Sequence, residues 1–158
     1  MIDGARIGAI LHSLRSFAMP HVTPIIVRGY HLDVYRHVNN ARYLEFIEEA
    51  RWALFDEVDA LAWMERHGVG FVIVHIDIDF NSSARLGDRL EVRTELSDAI
   101  TEGARSARMT QSIHCGERQV AEARVVYVCI DLTSERALPI EGELLQTLES
   151  WRQRYVSA

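Results

Sequence analysis

Between Phe71 and Phe80 the chain alternates strictly: Val72, Val74, Ile76, Ile78 and Phe80 fall on one face, Ile73, His75, Asp77 and Asp79 on the other. A period of two is that of a half-buried strand. It recurs after the turn signal Leu86-Gly87-Asp88, where Leu90, Val92, Thr94 and Leu96 alternate with Glu91, Arg93 and Glu95. It recurs again after Glu102-Gly103, through Ala107, Met109, Gln111 and Ile113, and Cys115-Gly116-Glu117 then leads into a last strand, Gln119 to Asp131. Four strands in a row with short turns predict an antiparallel meander. Upstream, Pro24 to Tyr30 carries the β-branched run Ile25-Ile26-Val27, which suits a buried strand.

Elsewhere the period becomes helical. Asparagine is a favoured N-cap, and after Asn39-Asn40 the residues Tyr43, Ile47, Ala50, Leu54 and Val58 recur at steps of four, three, four and four. They predict one helix of about four to five turns. Glu45, Glu48 and Glu49 lie in its N-terminal half, where the macrodipole favours negative charge. A second stripe, Leu144, Leu145, Leu148 and Trp151, predicts a helix from about Glu141 to Tyr155. Residues 1–23 read as an N-terminal extension with a short amphipathic helix, because Ile7, Ile10, Leu11, Leu14 and Phe17 share a face. Arg6, His12 and Arg15 break any signal-peptide apolar region there. A translation start at Met19 would remove that helix, and the intact mass of natively expressed protein decides the point. The remainder, 24–158, reads as a single domain: strand, loop, long helix, four strands, terminal helix. An antiparallel sheet with one long helix on a single face is an α+β fold.

Composition narrows the chemistry. The chain has 158 residues, enough for one domain with a core, and its 17 basic residues are all arginine against 23 acidic ones, a formal charge of -6. Having no lysine, it has no Schiff-base or pyridoxal lysine and no phosphate-loop lysine. The acidic balance argues against a nucleic-acid partner. Cys115 and Cys129 show neither a disulfide framework nor metal-ligand spacing, and no apolar run is long enough to span a bilayer. A cytoplasmic protein without membrane insertion is expected. There is no GxSxG, HExxH or EF-hand pattern, and Gly68-Val69-Gly70 lacks the third glycine of a dinucleotide fingerprint. His75, Asp77 and Asp79 read H-x-D-x-D, but a half-solvated sheet face or a subunit contact explains them better than a metal.

What remains is the loop before the long helix. Asp33, His37 and the capped helix start at Asn39-Asn40 fall within eight residues. This places a carboxylate near free backbone N–H groups that can polarise a carbonyl and hold an oxyanion, while the carboxylate serves as base or nucleophile.

Here the sequence resembles the hotdog-fold thioesterases of the 4-hydroxybenzoyl-CoA thioesterase type, most closely the FadM type, long-chain acyl-CoA thioesterase III. The resemblance is carried by 27–35 (VRGYHLDVY), 37–46 (HVNNARYLEF), 48–52 (EEARW), 128–132 (VCIDL) and 141–144 (EGEL), and runs from about Ile25 to Leu148. It implies a hotdog fold, an antiparallel sheet wrapped around one long helix. It also implies hydrolysis of an acyl-CoA to a fatty acid and coenzyme A, with no cofactor beyond the coenzyme A of the substrate and no metal. Asp33 takes the position of the nucleophile or water-activating base, and Asn40 that of the polarising backbone N–H. Plant acyl-carrier thioesterases have a similar stretch and use the aspartate, an asparagine two residues on, and the histidine. The middle position here is Tyr35, which leaves the role of His37 open. Asp33, His37 and Asn40 are therefore the candidate catalytic residues, and Tyr35, Asn39, Tyr43 and Phe71 candidates for substrate binding. Tyr43, Phe46, Trp52, Phe55 and Phe71 are candidates to line an acyl tunnel, some of them being core. The resemblance places coenzyme A near 81–88, where Arg85 and Arg89 are the candidate phosphate partners, since guanidinium forks suit phosphate. It further implies a homodimer or homotetramer with sites at the subunit interface. Two rivals stay open: a hotdog enoyl or hydroxyacyl thioester hydratase-dehydratase, whose loop usually carries Pro or Gly, absent from 33–40, and a non-catalytic acyl-CoA binding protein.

Overall fold

The computed structural model describes residues 19–96 and 98–155; the helix expected before Met19 lies outside them. Strand β1 spans His21–Ile26, and a 3-10 turn at Gly29–His31 leads through the Asp33 loop to helix α1, Asn40–Glu57. A short helix α2, Ala60–His67, follows, then β2 (Val69–Phe80), β3 (Arg89–Glu95), β4 (Ala107–Cys115), β5 (Arg118–Asp131) and helix α3, Gly142–Arg154. The strands form one antiparallel sheet in the order β1-β3-β4-β5-β2. Helix α1 lies against it, its Tyr43, Phe46, Ile47 and Ala50 sharing one core with Leu90, Val92, Ile113 and Val125 of the sheet. The α+β hotdog reading is the architecture found.

Four details differ from the sequence reading. Strand β1 starts at His21 and includes Pro24; it is an edge strand paired only with β3, where a missing N–H can point away from the ladder. Only β3, β4 and β5 form a meander. β2 lies at the far edge beside β5, three positions from β3, because residues 81–88 are a crossing connection and not a hairpin turn. Helix α2 was not legible as separate from α1; Asp59, at φ 53° and ψ 36°, divides them. Finally, the strict alternation of β2 is deceptive. A bulge leaves Val74 without a partner between Ile73, opposite Tyr127, and His75, opposite Val126. The extra residue reverses the pleat, so Phe71 and Ile73 share the packed face with Ile76 and Ile78, while Val72 and Val74 are exposed.

A network of polar side chains pins α1 to the sheet. Gln111 on β4 donates to the Ile47 carbonyl at 2.8 Å and to Thr94 Oγ1 at 3.0 Å, and its Oε1 accepts from Arg51 Nη1 at 2.8 Å. Gln111 and Thr94 are fully buried. At the far end of α1, Tyr155 Oη donates to Glu57 Oε1 at 2.6 Å and His21 Nε2 lies 3.2 Å from Glu57 Oε2, joining α1, α3 and β1.

Candidate active site

The loop between the 3-10 turn and α1 closes on the Asp33 carboxylate. Asp33 Oδ1 accepts the N–H of Tyr35 at 2.8 Å and of His37 at 3.2 Å, while Asp33 N–H donates to the His37 carbonyl at 2.8 Å. Arg36 turns the chain at φ 60° and donates its N–H to the Asp33 carbonyl. Capping a turn and presenting an acid are thus one arrangement: Oδ1 is held, and Oδ2 makes no hydrogen bond among the described residues. Asp33 is half-buried.

Helix α1 starts directly beyond. Asn39 is the N-cap, its Oδ1 accepting the Ala41 N–H at 3.0 Å and its carbonyl the Arg42 N–H at 2.9 Å. Asn40 is the first helical residue, and helix geometry gives its N–H no partner within the helix. No other described residue accepts it either, so a donor on the positive end of α1 stands free at the end of the loop that carries Asp33.

Main-chain bonds bring the 81–88 connection to this loop. Val38 N–H donates to the Ala84 carbonyl at 2.9 Å, and His37 forms a bridge with Arg85. Tyr43, a tunnel candidate, is buried, and its hydroxyl accepts the Ala84 N–H at 3.3 Å; burial raises the pKa of its phenol. The connection has its own supports. Arg85 N–H and Arg118 both reach Asp88 Oδ2, and Gly87, at φ 85°, makes the turn between them. Arg118 Nη1 also donates to Ser82 Oγ at 2.8 Å and the Ser83 carbonyl at 2.7 Å. Arg118 was missed from sequence because it belongs to the β4–β5 hairpin, more than thirty residues away.

Asp33, His37, Asn39, Asn40, Tyr43 and Arg85 therefore assemble at one end of α1. Tyr35 is exposed on the same loop, as are Val34 and, just upstream, Tyr30, and Leu86 is exposed on the 81–88 connection. Arg89 sits at the start of β3 opposite Ile26, exposed. Phe71 is not brought there. It packs on Phe55, Tyr127 and Trp151, and Phe55 is about 22 Å along the axis of α1 from Asn40. Phe46 is core, and Trp52 and Phe55 belong with Phe71 at the distal end. The His75 to Asp79 face is exposed, and Asp77 pairs with Arg124 at 3.4 Å.

A sheet over one long helix, with a carboxylate and a free N–H at the helix start, defines a hotdog thioester hydrolase. Residues 27–148 match the family model of the Thioesterase-like superfamily, and the chain belongs to that family. It is similar to the long-chain acyl-CoA thioesterase FadM of Escherichia coli strain K12, with 46% identity over 129 residues, 80% of this chain and 96% of the relative. The crystal structure of YbaW, a probable thioesterase from Escherichia coli, superposes with a TM-score of 0.76 at 43% identity, covering 85% of this chain and 98% of that one. A 1,4-dihydroxy-2-naphthoyl-CoA hydrolase of Acaryochloris marina is 27% identical over 79 residues, 50% of this chain and 58% of the relative.

Proposed function

We propose that the protein hydrolyses medium- to long-chain fatty acyl-CoA to a free fatty acid and coenzyme A. The observation that carries the reading is the half-held carboxylate: two backbone N–H groups fix Asp33 Oδ1 and leave Oδ2 without a hydrogen bond among the described residues, on the loop that leads into the unpaired Asn40 N–H. The thioester carbonyl oxygen sits against that N–H. Either Asp33 takes a proton from a water that attacks the carbonyl carbon, the C–S bond breaks and that proton passes to the departing coenzyme A thiolate; or Asp33 itself attacks, the C–S bond breaks, and the thiolate takes a proton from the water that then hydrolyses the acyl-aspartyl anhydride to the fatty acid and free Asp33. The acid and the helix start supply both catalytic functions from this chain's own residues. His37 orients Asp33 through its backbone N–H, and Asn39 fixes the helix start. Arg85 and Arg89 meet the coenzyme phosphates, and Tyr35 lies against the substrate at the mouth. Similarity to FadM supports the substrate class.

Thiol release from a short-to-long acyl-CoA panel is the test. Asp33→Asn keeps the Oδ1 contacts and is expected to lower turnover by orders of magnitude with the fold intact; near-normal hydrolysis would sink the reading. In the same assay Arg85→Ala and Arg89→Ala are expected to raise KM and weaken its salt dependence. Single-turnover hydrolysis in heavy-oxygen water tests the nucleophilic role of Asp33, since label in its carboxyl arises only when water attacks the Asp33 side of an acyl-aspartyl anhydride.

We propose also that the protein works as a homodimer or higher homo-oligomer. The outer edge of β2, twelve residues long, pairs with no described strand, whereas Pro24 blunts the opposite edge at β1.

A further inference from the structure

A cavity of about 160 Å³ lies between the C-terminal half of α1, the sheet and helices α2 and α3. Its wall is mainly apolar, with Trp52, Phe55, Phe71, Tyr127 and Trp151 prominent, and no residue before Glu48 contributes to it. One strong cation belongs to this wall: Arg51, only 9% exposed.

Arg51 is held but not ion-paired among the described residues; the nearby charge that favours its cationic form is that of the exposed Glu48. Its Nη1 donates to Gln111 Oε1, and Gln111 is itself fixed by Ile47 and Thr94. No carboxylate lies within ion-pair distance of Arg51 among the described residues; Glu48, one turn back on the cavity rim, is exposed and makes no such pair. The other guanidinium nitrogens have no hydrogen-bond partner among the described residues, yet no buried side-chain nitrogen or oxygen there is sealed without one. Those N–H groups are therefore not sealed off, and Arg51 is among the residues that line the cavity. A buried, unpaired cation is costly unless something shares its charge, and burial does lower the Arg51 pKa.

We infer that this cavity is a binding site for a free carboxylate with a compact apolar body, its carboxylate paired to the Arg51 guanidinium and its body among the aromatic rings. The size follows from the volume: an apolar cavity of about 150 Å³ holds one benzene ring. The class is that of benzoate or a short aliphatic acid, and a planar guanidinium matches a carboxylate with two parallel hydrogen bonds. The site lies beyond the reaction at Asp33 and depends on none of its residues.

Calorimetric titration of the full-length protein with benzoate and with benzyl alcohol is the test. Benzoate is expected to bind saturably and at least tenfold more tightly than the alcohol. Arg51→Gln is expected to abolish that preference. Met64→Trp fills the cavity without touching the Arg51 network, and is expected to weaken benzoate at least tenfold, which covers the case of an Arg51 variant that fails to fold. Asp33→Asn is expected to leave benzoate binding unchanged, so failure of the hydrolase reading is told apart from failure of this one. Absence of saturable benzoate binding, equal affinity for the two probes, or undiminished binding to Met64→Trp would overturn the inference.

Discussion

Asn39 has φ -61° and ψ 139°, the extended conformation to which a residue before proline is restricted, and Asn40 stands at the first helical position, where proline is favoured. The proposed oxyanion donor can thus be deleted by one substitution that the backbone already accommodates. Asn40→Pro is expected to leave the melting temperature nearly unchanged and to lower kcat by about 100- to 1000-fold, the usual cost of one such donor, about 3 kcal/mol. A melt and a thiol-release assay on the same preparation check both halves. This group was legible in the sequence because Asp33, His37, Asn39 and Asn40 are contiguous and one local rule, helix capping, orients them. Arg118 and Arg51 were not. Arg118 meets Ser82 and Ser83, and Arg51 meets Gln111 sixty residues on, contacts that no local spacing encodes.

The 3-10 turn shows how an element holds the site in place. His31 Nδ1 accepts the Arg28 N–H at 2.9 Å, its carbonyl accepts the Asn39 N–H at 2.9 Å, and its ring meets Phe46 edge-on at 4.9 Å. The first of these bonds requires an unprotonated Nδ1. Burial, and then the nearby Arg42, hold the imidazole pKa below its usual 6.5. Between the lowered folded value and 6.5 the unfolded chain binds more protons, so this contribution to stability is complete above about pH 6.5 and is lost as pH falls below it. Urea midpoints from pH 8 to pH 5 are expected to fall for the wild type and to run flatter for His31→Gln. Strands and long helices were readable from periodicity, because each presents one face to the core. Strand order was not, since the pattern along a strand tells which face is buried and not which neighbour it takes.

For the whole molecule the β2 edge is decisive. It exposes Val72 at 40% and Val74 at 54%, and the loop at the Asp33 end exposes Val34 and Tyr35 further. Pairing of two β2 edges would cover part of this surface. Val72→Lys together with Val74→Lys is expected to convert the proposed oligomer to monomer in light scattering; a wild type that is already monomeric at working concentration would refute the assembly.

The bulge in β2 has one more implication, for length variation along the chain. In most strands the loss of a residue turns everything beyond it from core to solvent. Here the strand holds one residue more than its pleat uses: excising Val74 would leave Phe71, Ile73, Ile76 and Ile78 facing inward in unbroken alternation. Excising Val72 instead would break it. The chain thus carries a spare position at which a deletion can be absorbed, and the melting temperatures of the two deletion variants, higher for the loss of Val74, would reveal it.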